Sequence, residues 1–331
     1  ATISWFTLLV LLYGGATTLW ITWWLLRGDE GWLLILIDHY GSLPPLLAVP
    51  LLGITLWKRR WGLFPFLCPA LIFFGVLFGP YWLPRLSATS TTADLSVMSY
   101  NVLSSNENYA AIANLLRTYH PDLVALQEVG PDHLAYLQEQ LGDEYVAAHK
   151  AHEPDHSTTA ILSRYPITNV TVLDLGAIRP AVIADLEIDG QIVTFVSAHL
   201  LYYGWLRIPW LELPAHMLTI HALQVQQVQV LAAELNRRHQ DVVILGCDCN
   251  SVDTAATQQL LNHYLTNAAK VTGWTLPQPA LPRLGPYYFP QRIDYVFYRG
   301  QVQPRGVYTI YDSAHSDHLP VLAYFDFRVS P

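Results

Sequence analysis

Apolar positions follow two regimes along this chain. Up to residue 86 they form long blocks with hardly a charge; beyond it they come in short runs separated by polar turns. The block over 3–26 is long enough for a membrane-spanning helix of about 20 residues. It lacks the basic leader and the brevity of a cleaved signal peptide, and further apolar blocks follow it. Residues 61–83, from Trp61 to Leu83, make another strong candidate span. Between the two, the apolar stretch 32–57 is broken by Asp38, His39, Gly41, Pro44, Pro45 and Pro50. That pattern predicts an interfacial helix over about 31–40 and a short or kinked span over 42–57, with one long kinked span as the alternative. Residues 1–86 therefore read as an N-terminal α-helical transmembrane region of about three helices. Residues 87–94, small and polar, read as a linker, and 95–331 as a separate domain.

Trp20, Trp23, Trp24, Trp32, Trp57, Trp61, Tyr81 and Trp82 fall near the expected span ends, where aromatic belts form. The one basic cluster is Lys58-Arg59-Arg60, which the positive-inside rule assigns to the cytoplasm. Three spans then put everything beyond Arg85 outside it: a multi-pass membrane protein with an extracytoplasmic C-terminal domain. Arg27, in the other loop, is accompanied by Asp29 and Glu30. Asp38 and His39 are expected at headgroup level beside a helix start, not as an intramembrane functional pair.

After the linker the pattern alternates between strand and helix. Strands are predicted at 95–100, 123–126, 159–163, 181–188, 191–198, 242–247, 293–298 and 320–327. Helices are predicted over 108–118, where Ile112, Leu115 and Leu116 share a face, and over 131–141, about 218–238 and 255–264. Asp189-Gly190 between Leu186 and Ile192 is a hairpin signal, so the sheet is mixed. Two packed sheets flanked by helices fit the length.

Charge changes the picture for partners. Five basic residues (Arg27, Lys58, Arg59, Arg60, Arg85) against three acidic ones (Asp29, Glu30, Asp38) give +2 up to residue 86; the whole chain is −8, which leaves −10 for the remainder. An acidic domain argues against tight, non-specific nucleic-acid binding, which needs a basic surface. Cys68 lies in an apolar stretch and reads as a small hydrophobe. Cys247 and Cys249, two apart at a strand end, are expected to point to opposite faces, which argues against a disulfide or a metal pair between them.

The apolar strands end on polar residues of one kind. Asn101 follows Val97–Tyr100, Gln127-Glu128 follows Leu123–Leu126, and His199 follows Phe195–Ala198. Asp248 and Asn250 follow Val242–Gly246, Asp294 lies within Arg292–Val296, and Asp317-His318 precedes the last strand. Singly, each reads as a solvated loop or turn residue. Together, carboxylates, amides and imidazoles on strand ends suit a metal-assisted hydrolysis site.

In order along residues 94–327, the segments Ser99-Tyr100-Asn101-Val102, Leu126-Gln127-Glu128-Val129, Ala160–Ile167, Ser197-Ala198-His199-Leu200, Asp248-Cys249-Asn250, Arg292-Ile293-Asp294-Tyr295 and Ser316-Asp317-His318-Leu319-Pro320 resemble the endonuclease/exonuclease/phosphatase family. The resemblance implies a four-layer α/β sandwich with the site at a sheet rim, and a Mg2+-dependent phosphoric ester hydrolase in which Mn2+ could substitute. It implies that Glu128, with Asn101, holds the metal, and that Asp317 adds a ligand directly or through water. Asp248 would orient or deprotonate the attacking water, and Asn250 would hydrogen-bond it or the phosphate. Asp294 would orient His318, which contacts the phosphate or acts as base, and His199 would bind another phosphate oxygen. Either Asp248 or His318 fits the role of base. One departure stands out: Cys247 occupies the position where the family has Gly.

The aromatic stretch 201–216, with Pro209 and Pro214, reads as a loop covering the domain or docking on the membrane half. Its alternative is a loop that dips into the membrane interface and admits a lipid headgroup, with Trp205, Trp210, Tyr202 and Tyr203 as anchors. A second aromatic loop, 286–290, lies just before Asp294. The expected function is hydrolysis of a phosphodiester or phosphomonoester at the membrane surface, on a lipid headgroup among the candidates. An extracytoplasmic nuclease and a non-catalytic membrane-complex subunit that keeps the fold are the alternatives.

Overall fold

The computed structural model describes residues 3–83, 93–145, 147–150, 158–177, 179–238, 242–273, 283–284, 287–288 and 291–327. Most of the linker and most of the 286–290 loop lie outside these residues.

Among the described residues, fourteen strands run β1 (Leu95–Asn101), β2 (Leu123–Val129), β3 (Ala147–Lys150), β4 (Thr158–Ser163), β5 (Ile167–Asp174), β6 (Pro180–Ile188), β7 (Gln191–His199), β8 (Val242–Asp248), β9 (Thr266–Asn267), β10 (Arg283–Leu284), β11 (Tyr287–Tyr288), β12 (Asp294–Gly300), β13 (Val302–Thr309) and β14 (Val321–Phe327). Eleven α-helices accompany them among the described residues: α1 (Trp5–Arg27), α2 (Trp32–Asp38), α3 (Leu43–Leu46), α4 (Ala48–Trp57), α5 (Phe64–Leu77), α6 (Gly79–Trp82), α7 (Tyr109–Tyr119), α8 (Pro131–Leu141), α9 (Leu213–Arg237), α10 (Ala256–Tyr264) and α11 (Ala268–Thr272).

Two mixed six-stranded sheets, ordered β13-β14-β1-β2-β4-β3 and β5-β6-β7-β8-β12-β9, pack face to face. Period-two alternation builds the layers. Leu95, Val97, Leu123 and Ala125 of one sheet meet Val193, Phe195, Ile244 and Val296 of the other. The intervening residues face outward: Met98, Tyr100, Val124 and Leu126 lie under α7 and α8, and Val196, Val243, Leu245 and Phe297 under α9 and α10. The result is the expected helix–sheet–sheet–helix sandwich. The β6–β7 hairpin turns at Asp189 (φ 51) and Gly190 (φ 77), the two positive φ values that such a turn requires.

Alternation also corrects the cysteine reading. Residues two apart share a face of a strand, so Cys247 and Cys249 both point toward the α9 layer, and they form a disulfide. Gly246 and Asp248 point the other way, toward the first sheet, so the Cys247 side chain does not crowd the Asp248 carboxylate.

The helical region differs from the expected spans. Among the described residues, Trp5–Arg27 (23 residues) is the one helix long and apolar enough by itself to cross a membrane. The pair Trp32–Asp38 and Leu43–Trp57 passes only when joined across a 54° bend, and Trp61–Leu77 is shorter. The segment 61–83 is therefore not one helix. It opens with a 3-10 turn at Trp61–Leu63 and breaks after Leu77, where Gly79 and Pro80 end the apolar run. The short α6 that follows turns into the sandwich and buries Tyr81, 2% exposed, in the inter-sheet core.

Candidate active site

The same alternation gathers the polar strand ends. Counting from the inter-sheet positions Val97, Ala125, Phe195, Ile244 and Val296 in steps of two reaches Asn101, Gln127, His199, Asp248 and Asp294, all on the inter-sheet face at one rim. Pairing sets them side by side: His199 and Asp294 both lie opposite Asp248, and Asn101 lies opposite Gln127. Small residues let the sheets close here. A Cβ on Gly246 would come within 2.5 Å of Ala125 Cβ and 3.1 Å of Ser99 Cβ. Ser197 Oγ donates to Leu126 O at 2.9 Å across the gap.

Glu128 should by alternation face away from this rim. A register shift between Leu126 and Val129, with Glu128 itself at φ 56, turns its carboxylate back to the site. A non-glycine residue held in the left-handed region is strained, and such strain clusters at functional sites. Asn250, at φ 44, is held the same way.

Asn101 bridges the sheets: its Nδ2 donates to Asp248 Oδ2 at 2.8 Å and to Glu128 Oε1 at 3.3 Å. Glu128 Oε2 accepts from the Ser104 amide at 3.1 Å. Asp248 Oδ1 accepts from the Asn250 amide at 3.1 Å. The Asn250 side chain donates to Leu200 O at 3.0 Å, which leaves its Oδ1 for a ligand. His318 Nδ1 meets Asp294 Oδ2 at 2.8 Å, and its Nε2 lies 3.8 Å from Asp248 Oδ2. The His199 Nε2 atom is 3.4 Å from Asp248 Oδ2 and 4.0 Å from Glu128 Oε1. Asp317, whose side chain is 52% exposed, lies at the mouth, 4.0 Å from His318 Nε2. All eight expected residues thus lie together at one sheet rim.

Electrostatics sort these groups into roles. Burial, then repulsion from Asp294, pushes the Asp248 carboxyl up to about 7, with His318 and the Asn101 hydrogen bond pulling the other way. Burial alone would lower His318, but the carboxylates of Asp294 and Asp248 outweigh it and raise the imidazole to about 10. Burial, then Arg179, then His318 hold His199 well below the usual histidine range, hence neutral. Asp317 is raised, chiefly by burial.

A divalent cation fits this arrangement. Four carboxylates, of Glu128, Asp248, Asp294 and Asp317, converge on one rim, and Asp294 Oδ1 is buried without a hydrogen-bond partner. The oxygen-rich donor set suits Mg2+ or Mn2+. Ligand atoms of Asp248, Asp294 and His318 lie within 4.8 Å of one another, a spacing that could also hold a metal ion.

Sequence reading missed Arg179. Its Nη1 lies 2.5 Å from His199 Nδ1 and 3.1 Å from Nε2, which puts a guanidinium at the edge of an otherwise acidic site. The hairpin register carried the signal: counting back from Ile188 opposite Gln191 puts Pro180 beside His199, with Arg179 next to it.

The 201–216 loop docks on the helical region. Tyr203 packs on His39, Trp205 on Tyr40 and Trp210 on Trp32, with ring centroids 5.5, 6.4 and 5.6 Å apart. Tyr202, Leu206, Trp210 and Leu211 keep exposed faces.

The fold is a two-sheet α/β sandwich with carboxylates, an amide and a paired imidazole on one rim. The chain belongs to the endonuclease/exonuclease/phosphatase family, whose model matches residues 98–318. Members of that family are hydrolases acting on phosphoester bonds. No curated protein matches the chain. Similar solved structures include an endonuclease/exonuclease/phosphatase from Bacteroides vulgatus (15% identity, TM-score 0.58, covering 71% of this chain and 99% of that one). Humanized TDP2 of D. rerio is similar over 70% of this chain and 98% of its own, at 18% identity and TM-score 0.54. The human Nocturnin catalytic domain with bound sulfate aligns over 70% and 94%, at 19% identity and TM-score 0.54. At these identities the likeness is one of fold.

Proposed function

We propose that this protein is a metal-dependent phosphoesterase that hydrolyses a phosphodiester or phosphomonoester, such as a lipid headgroup ester, at a membrane surface. The observation that carries the chemistry is the Asn101–Asp248 bond at 2.8 Å beside the His318–Asp294 pair at 2.8 Å. Asp248 can take a proton from an incoming water near neutral pH, since its carboxyl is raised to about 7. His318, kept charged by Asp294, donates to a phosphoryl oxygen and offsets charge in the transition state. Neutral His199, beside Arg179, binds a second oxygen, and Asn250 Oδ1 orients the water. Glu128 and Asn101, with Asp317, would hold Mg2+ or Mn2+. That ion would polarise the phosphoryl group.

In this reading residues 1–86 are a membrane domain spanning at about 3–26, 42–57 and 61–83, 87–94 a linker, and 95–331 the catalytic domain outside the cytoplasm. Support comes from the two ends of α1. The Arg60 guanidinium bonds Ser4 and Thr7 at its first turn. The sandwich attaches at the other end, where Trp24 Nε1 donates to Thr254 O at 2.8 Å. A helix of 23 residues is about 35 Å long, enough to separate the two by a bilayer core. The exposed Tyr202, Trp210 and Leu211 suit the interface of that bilayer.

A nuclease is the second reading, favoured by a D. rerio TDP2 structure complexed with a single-strand DNA product. The acidic balance of residues 87–331 opposes it. The discriminating experiment gives the full chain in detergent, with Mg2+ or chelator, bis(p-nitrophenyl) phosphate, phospholipid vesicles and single-stranded DNA. Mg2+-dependent release of a phosphorylated headgroup from vesicles supports the lipid reading. DNA cleavage without lipid turnover replaces it with the nuclease.

A further inference from the structure

The segment that carries the chain away from Asp248 and Asn250 does not lean on the sandwich alone. Its residues Ser251, Asp253, Thr254 and Ala255 are all buried, and many of their partners lie in the N-terminal helices. Thr254 O accepts from Trp24 Nε1 at 2.8 Å, and Thr254 Oγ1 donates to Asp38 O at 3.0 Å. The amide of Ala256 donates to Asp29 Oδ2 at 2.9 Å. The fit is close: a Cβ on Gly41 would lie 2.4 Å from Thr254 Oγ1. The approach to Asp294 is held in the same way, with Gln291 Nε2 donating to His39 O at 3.1 Å.

Tyr81 joins both approaches. Its hydroxyl donates to Asp253 Oδ1 at 2.7 Å and accepts from Asn267 Nδ2 at 3.0 Å. The Arg292 guanidinium sits 4.3 Å from its ring centroid, and Lys270, which pairs with Asp253 at 2.6 Å, lies 5.4 Å from the same centroid. Asp253 follows Asn250 by three residues, and Arg292 precedes Asp294 by two. Asp248 and Asp294 are themselves paired across β8 and β12. One side chain from the helical region therefore ties the segments leaving and entering the two strand ends that carry the central carboxylates.

We infer that Tyr81 is a positioning residue for the hydrolytic centre and that the N-terminal helical region completes the active site instead of merely tethering it. The role rests on the proposed hydrolysis; the packing it invokes does not. Asp253 is 5% exposed, and a buried carboxylate needs its donors to stay fixed. Removing one donor frees Asp253 to shift, and with it the turn that holds Asn250 at φ 44 and orients Asp248. A displacement of about 1 Å at a catalytic group costs up to roughly a hundredfold in rate.

The test compares Tyr81→Phe with Tyr13→Phe in the full chain in detergent. Tyr81→Phe keeps the ring under Arg292 and removes only the hydroxyl. Tyr13→Phe removes a hydroxyl that donates to Pro44 O at 2.6 Å inside the helical region, away from the sandwich. Two quantities are read: amide hydrogen exchange over 248–256 and 291–296, and kcat and KM for bis(p-nitrophenyl) phosphate. We expect Tyr81→Phe to speed exchange in both segments and lower kcat by about tenfold or more, with KM within about threefold. Tyr13→Phe should do neither, whatever it costs in melting temperature. Unchanged exchange in Tyr81→Phe overturns the inference, as does faster exchange with an unchanged kcat. A wild-type protein without phosphoesterase activity sinks the proposed function, and the exchange comparison then decides the clamp alone: faster exchange supports it and unchanged exchange overturns it.

Discussion

Replacing His318 separates a catalytic role from a structural one, provided the right substitution is used. His318 Nδ1 lies 2.8 Å from Asp294 Oδ2, and Asp294 is 1% exposed with its other oxygen already unpartnered. His318→Ala would leave that carboxylate buried with neither oxygen satisfied, and losing one partner of a buried ion pair costs about 3–5 kcal/mol. The same change removes the group proposed to contact the phosphate, a role worth about 10²–10⁴ in rate, or roughly 3–5 kcal/mol of barrier. The alanine variant therefore confounds the two effects. His318→Asn keeps an amide donor at the Nδ1 position toward Asp294 and lacks both the charge and the Nε2 donor. We predict that it melts near the wild type while kcat and kcat/KM for bis(p-nitrophenyl) phosphate both fall at least about a hundredfold. Asp294→Asn should lose less, because it loosens the ring and weakens the hold on its charge while the Asp248 carboxylate still faces His318. Melting temperature and initial rates are measured on the same preparations. A His318→Asn enzyme within a few fold of wild type would refute the catalytic assignment of His318.

Three further outcomes follow from the same geometry. Glu128→Gln should weaken Mg2+ binding, measured by calorimetry, and nearly abolish turnover at fixed metal, with the fold kept by circular dichroism; wild-type turnover that survives chelator contradicts the metal assignment. Protease added to intact cells should cleave beyond residue 95, whereas protection until lysis would put the catalytic domain in the cytoplasm. In chelated protein, Asp248 binds its proton up to about pH 7 and His318 up to about pH 10 in the folded state. Both values are raised above those of the unfolded chain, so both contributions are full at low pH and fade as pH rises. Stability should therefore fall from about pH 4 to 7 through Asp248 and from about pH 6.5 to 10 through His318. Asp248→Asn should remove the lower limb of the melting-temperature profile, and a lower limb that persists in that variant contradicts the sign.

The sandwich was legible because its central strands are unambiguous. Val242–Leu245 and Leu123–Leu126 are buried on both faces and read as unbroken apolar runs. The site was legible because each such run ends on a polar residue. Edge strands were not legible: β13 is broken by Pro304 and Gly306, where its register shifts, and β5 is half exposed. Glu128 and Asn250 were found by motif, since alternation alone would have pointed Glu128 away from the rim. Arg179 was missed although the β6–β7 hairpin register places it beside His199, and Tyr81 was read as a span-end aromatic because its partners Asp253 and Asn267 lie far along the chain, where no local pattern reports them. At 61–83 one apolar run covers two environments, because hydropathy does not distinguish lipid from the interior of a sandwich, and Tyr81 near its end occupies the latter.

In the proposed reaction, water attacks phosphorus at the Asp248 rim with the help of a divalent metal ion. Phosphorus NMR of product formed from bis(p-nitrophenyl) phosphate in water enriched in heavy oxygen tests it most directly. With Mg2+ present, the full chain should yield p-nitrophenyl phosphate whose resonance carries the isotope shift of one new oxygen on phosphorus, and Asp248→Asn or chelator should suppress it. Product without the isotope shift, or an equal yield from Asp248→Asn, would contradict the account.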